Sequence, residues 1–309
     1  MIVPGDLATG WSTRFETQFQ MQFNTSVAVM DAQMNPLLMP MELGDFQGNK
    51  VTLDWLGASP QMRSWTDEKR AIGLGKYSID VVVGRYEATV EIDLDALRDG
   101  RGNIYEPRLR EIAQNGTRLP YNLVSDLIAA GESGTAYDGQ NFYDTDHSEG
   151  DSGTQSNELT GTGTSLAQIT TDYYTAKAAL TGFKDDKGVP LHPYDFRPVI
   201  WIPNDATLIQ RFDALANAVL TGNGETNVLQ GKFSVVVDPR LTDANDWYMF
   251  RADTIMKPFF RVNREAVHYV DNFGTGHPDV WARRIGQAGA EGRMAVAYGM
   301  WQTAVKVKN

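Results

Sequence analysis

The chain has 309 residues, of which 42% are hydrophobic, 22% charged and 10% aromatic, and these globular values exclude a disordered, tail-like polypeptide. Its formal net charge of −11 disfavours direct binding of nucleic-acid phosphates, which needs clustered Lys and Arg. The absence of cysteine excludes disulfides, thiolate metal sites and a cysteine nucleophile.

The first 48 residues are predicted to form an N-terminal arm. Apolar residues at four-residue spacing, Phe15, Phe19 and Phe23, predict a helix that docks on something. The continuation over 30–41 is too interrupted by proline for a helix and too apolar for a free linker. We expect residues 1–48 to lie against their own or a neighbouring subunit.

No basic stretch precedes an apolar run, and no run approaches the roughly 18–20 apolar residues of a membrane span, so neither export nor a membrane is expected.

An extended hairpin is predicted over 49–95. Val51, Leu53 and Trp55 alternate with polar residues, which indicates a strand, and the alternation returns from Tyr77. At Gly84 the phase slips by one residue, and a glycine suits the bulge or tight bend that would absorb the slip. Because an isolated two-stranded hairpin is only marginally stable, this excursion needs packing partners.

The hairpin region also carries large side chains that it cannot bury by itself. Trp55, Met62 and Trp65 lie on or beside it. We predict that a neighbouring subunit covers them; the alternative, that they fold back onto their own domain, stays open because core burial is the default for tryptophan. The predicted subunit interface comprises Phe15, Phe19, Phe23, Trp55, Met62, Arg63, Trp65, Lys69 and Arg70.

A single long helix is predicted between Tyr105 and Ala130. Its apolar stripe keeps one phase through Pro120, so we expect one helix of about 25 residues with a kink at the proline. Pro107 favours the helix start, and Gly131 is expected to end the helix.

The segment from Tyr137 to His147 concentrates acids, aromatics and a histidine. Asp144, Asp146 and His147 could ligate a divalent metal or form an acid-base pair, and a metal-dependent hydrolase using them is one hypothesis. The spacing of a calcium loop fails, however, because Gly150 falls one place late. No His-Glu-x-x-His, Gly-x-Ser-x-Gly or nucleotide-loop motif supports catalysis elsewhere.

We therefore interpret this segment as an ordered structural turn. Asp138 and Gly139 would form the turn, Phe142 and Tyr143 would anchor it, and Asp144 or Asp146 would cap local amides. No metal, cofactor or catalytic residue is predicted. The structural turn as a set comprises Tyr137, Asp138, Gly139, Phe142, Asp144, Asp146 and His147.

The rest of the chain has a mixed pattern. Residues 149–164, rich in Gly, Ser and Thr, predict an exposed loop. In chain order we then predict a helix over 165–180, a buried strand over 198–203, a helix over 206–220, strands over 233–237, 247–250 and 267–270, and a mainly extended end over 293–307.

In this order of elements the chain resembles the major head subunits of Mu-like phages and prophages. The likeness rests on residues 55–57 and 60–65, on 77–95, above all on Tyr137 to His147, and weakly on 292–299. The resemblance implies an α+β fold of the Hong Kong 97 capsid type. It implies these units: an N-terminal arm at 1–48, an extended hairpin or E-loop at 49–95, a peripheral domain with its spine helix at 96–195, an axial domain at 196–290, and a return strand to the peripheral domain at 291–309.

The resemblance also implies a function and partners. Copies would assemble into hexamers and pentamers of an icosahedral head around double-stranded DNA, in the virion capsid, after assembly in the bacterial host cytoplasm. The family has no active site to transfer, so no enzyme is expected. Because the hairpin starts near residue 49, a separate scaffolding protein is the better expectation, with portal and decoration proteins as further partners. A nanocompartment shell of the same fold is the alternative.

Overall fold

Two β-sheets, with helices packed on them, build the protein. The computed structural model describes residues 4–34, 37–42, 50–56, 76–191, 195–220, 224, 226–274 and 276–309. The combination of separate helical and mainly antiparallel sheet elements makes the fold α+β, as predicted.

The first sheet has four strands in the order β1-β9-β10-β4. Its strands are β1 (Leu38–Glu42), β4 (Gly84–Asp93), β9 (Phe259–Asp271) and β10 (Ile285–Tyr298). β1 runs parallel to β9, and the other pairs are antiparallel. Helices α1 (Pro4–Met34) and α3 (Glu106–Ala130) pack on each other and on this sheet, whereas the short α2 (Leu94–Arg98) follows β4 and α6 (Pro278–Arg283) precedes β10.

The second sheet has five strands in the order β5-β11-β8-β6-β7. Its strands are β5 (Glu158–Thr160), β6 (Val199–Pro203), β7 (Ser234–Asp238), β8 (Trp247–Phe250) and β11 (Ala304–Lys308). Helices α4 (Leu166–Gly182) and α5 (Ala206–Asn217) pack beside it. All five residues of β6 are buried, which fits its uninterrupted apolar sequence.

A separate two-stranded hairpin rises from the first sheet. β2 (Lys50–Leu56) pairs antiparallel with β3 (Lys76–Val82). At its root, Val51, Leu53 and Val81 are buried against Val262 and Ala297 of the sheet. This apolar contact supplies the packing that a hairpin of two strands needs.

The predicted helix at the start of the chain is confirmed, but its length and its environment correct two expectations. α1 continues to Met34, further than expected, and residues 38–42 form β1, which pairs with β9 of the same subunit, one of the two placements expected for this segment. Phe15 and Phe19 are completely buried inside the subunit, where Phe15 packs on Phe273 and Phe19 on Tyr269. Their side chains therefore belong to the core and do not face a neighbouring copy.

The predicted hairpin over 49–95 is too long. β4 leaves the hairpin and pairs with β10 along ten residues, from Gly84 opposite Met294 to Asp93 opposite Ile285. The chain changes sheets at Val83, and this change explains the slip in phase at Gly84. A side chain at Gly84 would also collide with the Tyr86 ring, whose hydroxyl would lie 2.8 Å from the added Cβ.

The two sheets do not follow the predicted boundaries at residues 195 and 290. β10 runs across the second boundary and lies in the first sheet, whereas β11, expected to return to the peripheral domain, pairs with β8 and β5 in the second. β5 and α4, placed before residue 195, also pack with the second sheet. The predicted loop over 149–164 is mostly irregular, as expected, but it contains the short β5 and is exposed only in part, because Glu149, Ser152 and Asn157 are buried.

The long helix is confirmed as α3, with Pro120 inside it. Gly131 follows it with an ordinary helical φ of −62°, so no left-handed cap ends the helix. The reason for glycine is steric, since a Cβ on Gly131 would lie 2.3 Å from the Tyr143 ring. Gly131 thus lets the turn that follows fold back against the helix end.

Candidate functional site

The segment from Gly131 to His147 forms the predicted turn. Gly139 has a left-handed φ of 89°, and its amide donates to Ala136 O at 3.2 Å. The Asp138 carboxylate accepts the Gln140 amide at 3.2 Å. Phe142 and Tyr143 anchor the turn in the core, where they are 0% and 2% exposed. The turn is therefore present, and the structural role assigned to the whole set of residues stays a prediction.

His147 is the buried centre of this turn. Its Nδ1 lies 2.6 Å from Asp138 Oδ2, and its Nε2 lies 3.2 Å from Asn157 Oδ1. Its ring stacks on Trp301 with centroids 4.0 Å apart and planes 6° apart. Every polar atom of the ring therefore faces a partner within the subunit, so the histidine has a structural role here.

A second buried group, Glu149, lies beside this stack and is 8% exposed. Its Oε1 accepts Trp301 Nε1 at 3.2 Å, Gln302 Nε2 at 3.1 Å and the hydroxyl of Tyr137. Burial raises the pKa of Glu149, and hydrogen bonds from these donors offset part of that rise. Within the described residues no cation lies at ion-pair distance from this carboxylate, and its described partners are neutral donors.

The hairpin reaches the same carboxylate through Tyr77. The hydroxyl of Tyr77 donates to Glu149 Oε2 at 3.4 Å, and the Tyr77 ring meets Tyr137 edge-on with centroids 5.0 Å apart. Burial, followed by the charge of Glu149, raises the pKa of Tyr77 to about 12. The hydroxyl therefore keeps its proton and acts as a donor. We call the group of Tyr77, Tyr137, Glu149, Trp301 and Gln302 the junction.

A buried lysine ties the end of the chain to the same region. Lys306 of β11 is 2% exposed and lies 2.6 Å from Glu132 Oε1 and 2.9 Å from Asp246 Oδ2. Burial alone would lower the pKa of Lys306, but these two carboxylates outweigh it and the net shift is upward. The lysine thus stays charged and links the end of α3 to the second sheet.

The hypothesis of a metal-dependent hydrolase at Asp144, Asp146 and His147 finds no support in this geometry. Asp144 accepts the amides of Thr145 at 2.7 Å and Asn141 at 3.4 Å, which is a capping role. Asp146 is exposed, while His147 is enclosed. In the part of the chain that the structure describes, these three residues do not converge as metal ligands would.

Among the described residues, a group of side chains that could bind a metal ion lies elsewhere, on the surface of the first sheet. It contains Glu265, His268 and Glu291, all partly exposed. Arg293 Nε lies 3.5 Å from Glu265 Oε2, and His268 Nε2 lies 3.6 Å from Glu291 Oε1. Cross-strand ion pairing accounts for this group.

The predicted subunit interface falls into three parts. Phe15 and Phe19 are core residues, and Phe23 is half-buried and stacks on Phe19. The backbone of Trp55 lies in β2 opposite Tyr77. Outside the described residues lie Met62, Arg63, Trp65, Lys69 and Arg70, and their interface role stays a prediction.

An apolar surface that sequence patterns missed lies after α5. Val219, Leu220 and Val228 are 64%, 55% and 59% exposed. Asn227 holds this segment in place, because its Nδ2 donates to Leu215 O at 2.9 Å and to Ala218 O at 2.8 Å. We call these three aliphatic residues the apolar knuckle; large apolar side chains held in the open are typical of protein contact sites.

Sequence reasoning also missed most of the junction. Glu149 and Asn157 lie in a segment whose Gly, Ser and Thr content suggested a loop, and Trp301 and Gln302 lie far away in the chain. Tyr77 was identified only as part of a strand. Buried polar partners that come together from distant segments leave no local pattern, so only the exclusion of an active site could be argued from the sequence.

The fold is of the type found in phage capsid proteins. The structure resembles a subunit of the bacteriophage JBD30 procapsid with a TM-score of 0.56 and 19% identity, covering 96% of this chain and 74% of the other. It also resembles the virus-like particle protein of Pyrococcus furiosus, with a TM-score of 0.53 and 10% identity over 93% and 98% of the two chains.

The sequence identifies the family within this class. A model of the Mu-like prophage major head subunit gpT matches residues 13–167 and 242–309. The chain belongs to that family. It is 21% identical to the Mu-like prophage FluMu major head subunit of Haemophilus influenzae over 257 residues. These aligned residues cover 83% of this chain and 61% of the relative.

A second relative is the major capsid protein of Escherichia phage Mu, 29% identical over 96 residues, or 31% of this chain and 32% of the relative. The chain therefore spans less than two thirds of the length of either curated relative. Within the described ranges, no helix combines the length and the apolar character needed to cross a membrane.

Proposed function

We propose that this protein is the repeating subunit of an icosahedral phage head. Many copies associate into hexamers and pentamers, and the closed shell encloses double-stranded DNA without reading its sequence. The role is structural and non-catalytic, and the protein belongs to the capsid of the virion after assembly in the bacterial cytoplasm.

The family match carries this proposal. It covers residues 13–167 and 242–309, so it includes most of α1, the hairpin, α3, the turn and both long strands of the first sheet. The relatives are named as a major capsid protein and a major head subunit, and solved neighbours come from a procapsid and a virus-like particle. The net charge of −11 supports a shell that encloses DNA without adhering to it.

The two sheets suggest the parts played in such a shell. The first sheet with α1 and α3 corresponds to the peripheral domain, α3 being its spine helix, and the second sheet with α4 and α5 corresponds to the axial domain. The hairpin and the apolar knuckle then provide contacts between copies. Each contact is modest, but simultaneous contacts in a closed lattice give high avidity.

Other head proteins are expected as partners. A neighbour in fold, with a TM-score of 0.50, is the JBD30 capsid decorated with minor capsid protein trimers. By analogy we propose that decoration proteins bind the assembled shell of this protein, that a portal occupies one vertex, and that a separate scaffolding protein guides assembly.

Replacing residues 59–75 by a short glycine-serine turn tests the proposal. These residues lie beyond the described strands β2 and β3, so the apolar root of the hairpin stays intact. We expect a folded subunit that no longer forms shells in sedimentation velocity, whereas the full chain does. A full chain that stays a monomer, or a shortened chain that still forms shells, would contradict the proposed role.

The alternative of a nanocompartment shell with a protein cargo is not favoured, because the family model that matches the chain is that of a major head subunit. The contents of purified particles decide between the two. Packaged double-stranded DNA supports the phage head, and a co-purifying enzyme without DNA supports the nanocompartment.

A further inference from the structure

In its described part, the hairpin is attached to the subunit body at two separate places. The first is its apolar root, where Val51, Leu53 and Val81 are buried on the first sheet. The second is Tyr77, which lies four positions before Val81 on β3, or about 13 Å further out at roughly 3.3 Å per residue. A single attachment would act as a pivot, whereas two attachments fix a direction.

We propose that Glu149 is a positioning residue that fixes the direction of the hairpin by holding Tyr77. Tyr77 donates to Oε2 of Glu149, while Oε1 accepts Trp301 and Gln302 from the last segment of the chain. The hairpin, the turn and the end of the chain are thereby held by one side chain.

The chemistry of the Glu149 carboxylate supports its role in positioning the hairpin. A carboxylate with two oxygens can accept several donors from opposite sides, and hydrogen bonds to an ionised acceptor are stronger than neutral ones. Glu149 is held in turn, since its amide donates to Ser152 Oγ at 2.9 Å. This bond holds the backbone of Glu149, and the donors to Oε1 hold its side chain.

A cleft lies beside the strand between the two attachments. Ser78 to Val82 of β3 border this cleft of about 470 Å³, whose other wall includes Leu127, Ala136 and Tyr298. Within this stretch Val81 and Ile79 pack on the first sheet, whereas the cleft separates the strand from the turn. Tyr77 therefore carries the described contact between the hairpin and the turn.

The consequence for assembly rests on the proposed function. If the hairpin reaches a neighbouring copy, its direction decides where that contact falls, and Glu149 then influences the geometry of the shell from inside the subunit. The direction of the hairpin can nevertheless be measured on unassembled subunits, so the two proposals can fail separately.

The test is amide hydrogen exchange of the purified full-length subunit carrying Tyr77→Phe. This change removes only the hydroxyl and keeps the ring against Tyr137. We expect exchange of the paired amides in β2 and β3 to accelerate roughly tenfold, the usual effect of losing a hydrogen bond to a charged group, while α3 and β6 are unchanged. The matched control is Tyr86→Phe on β4, which should leave the hairpin at the wild-type rate.

A double-mutant cycle assigns the effect to Glu149. In the background of Glu149→Gln, adding Tyr77→Phe should change hairpin exchange by less than about twofold, because the charged acceptor is already gone. Hairpin exchange that Tyr77→Phe leaves at the wild-type rate, or a tenfold effect that persists in the Glu149→Gln background, would overturn the proposal. Failure of the wild-type protein to form shells would refute the proposed function but leave this result intact.

Discussion

The rings of His147 and Trp301 lie parallel, 4.0 Å apart between centroids, and join the turn after α3 to the last segment of the chain. The residues beside them, Glu149 and Gln302, hydrogen-bond across the same contact at 3.1 Å. The end of the chain thus covers the turn. The segment that looked most like an active site is a buried structural connection.

The first prediction concerns His147. In His147→Ala the stack on Trp301 is lost and the buried Asp138 carboxylate loses its 2.6 Å partner. We expect the free energy of unfolding to fall by about 2–4 kcal/mol, measured by chemical denaturation. The exposed Asp146→Ala is the control and should stay within about 0.5 kcal/mol of wild type. Equal effects of the two substitutions would contradict the structural assignment.

The second prediction is a pH dependence of stability that originates at Glu149. Burial raises the pKa of this carboxyl above its ordinary 4.5, so the folded protein holds the proton more tightly than the unfolded chain does. The stability that the folded protein gains by holding the Glu149 proton is complete below pH 4.5. This gain is lost as the pH rises through the pKa that Glu149 has in the folded protein. The unfolding free energy of Glu149→Gln minus that of wild type should therefore increase between about pH 4 and pH 7.

Denaturation curves at several pH values measure this difference, with Glu111→Gln on the surface of α3 as the control for loss of one carboxylate. A difference that stays constant, or that decreases with pH, would show that hydrogen bonds from the neutral donors outweigh burial at Glu149.

The third prediction separates steric from conformational reasons for glycine. Gly131→Ala should cost about 1–3 kcal/mol, because the new Cβ would lie 2.3 Å from the Tyr143 ring although the backbone angle is ordinary. Gly182→Ala at the end of α4 is the control, since nothing lies within 4 Å of the added atom. There we expect stability equal to wild type or about 0.4–1 kcal/mol higher. Thermal unfolding of both variants decides, and equal stability of both would refute the close approach of Tyr143.

The fourth prediction addresses the apolar knuckle. Leu220→Ser with Val228→Ser changes two exposed side chains, so the unfolding free energy should stay within about 1 kcal/mol of wild type. If the knuckle forms a contact between copies, shell yield in sedimentation should fall strongly. Shells at the wild-type yield would remove this surface from the set of contacts.

Much of the fold follows from local patterns. The stripe through Phe15 and Phe19 predicts α1, the stripe through Pro120 predicts α3, and the apolar run at 199–203 predicts β6, because one face or one whole element is buried in each case. The slip at Gly84 was also visible. Its cause, a change of sheet, depends on pairing with β10, which no local pattern encodes.

The polar interior is what the sequence could not predict. Glu149 and Asn157 are surrounded by residues typical of loops, and their burial depends on Trp301 and on β11, which come from the end of the chain. Lys306 is buried for the same reason, through Glu132 and Asp246. The amino-acid composition of a segment predicts only the average exposure of its residues. Glu149, Asn157 and Lys306 are buried by contacts with residues far away in the chain, which composition does not predict.

Electron cryo-microscopy of particles assembled from the full-length protein, alone or with its partner head proteins, tests the central claim most directly. We expect closed shells in which each subunit keeps both sheets and the hairpin beyond Leu56 and Lys76 contacts a neighbouring copy. A protein that forms no shell or capsomer under any of these conditions, or shells in which the hairpin touches only its own subunit, would contradict the account.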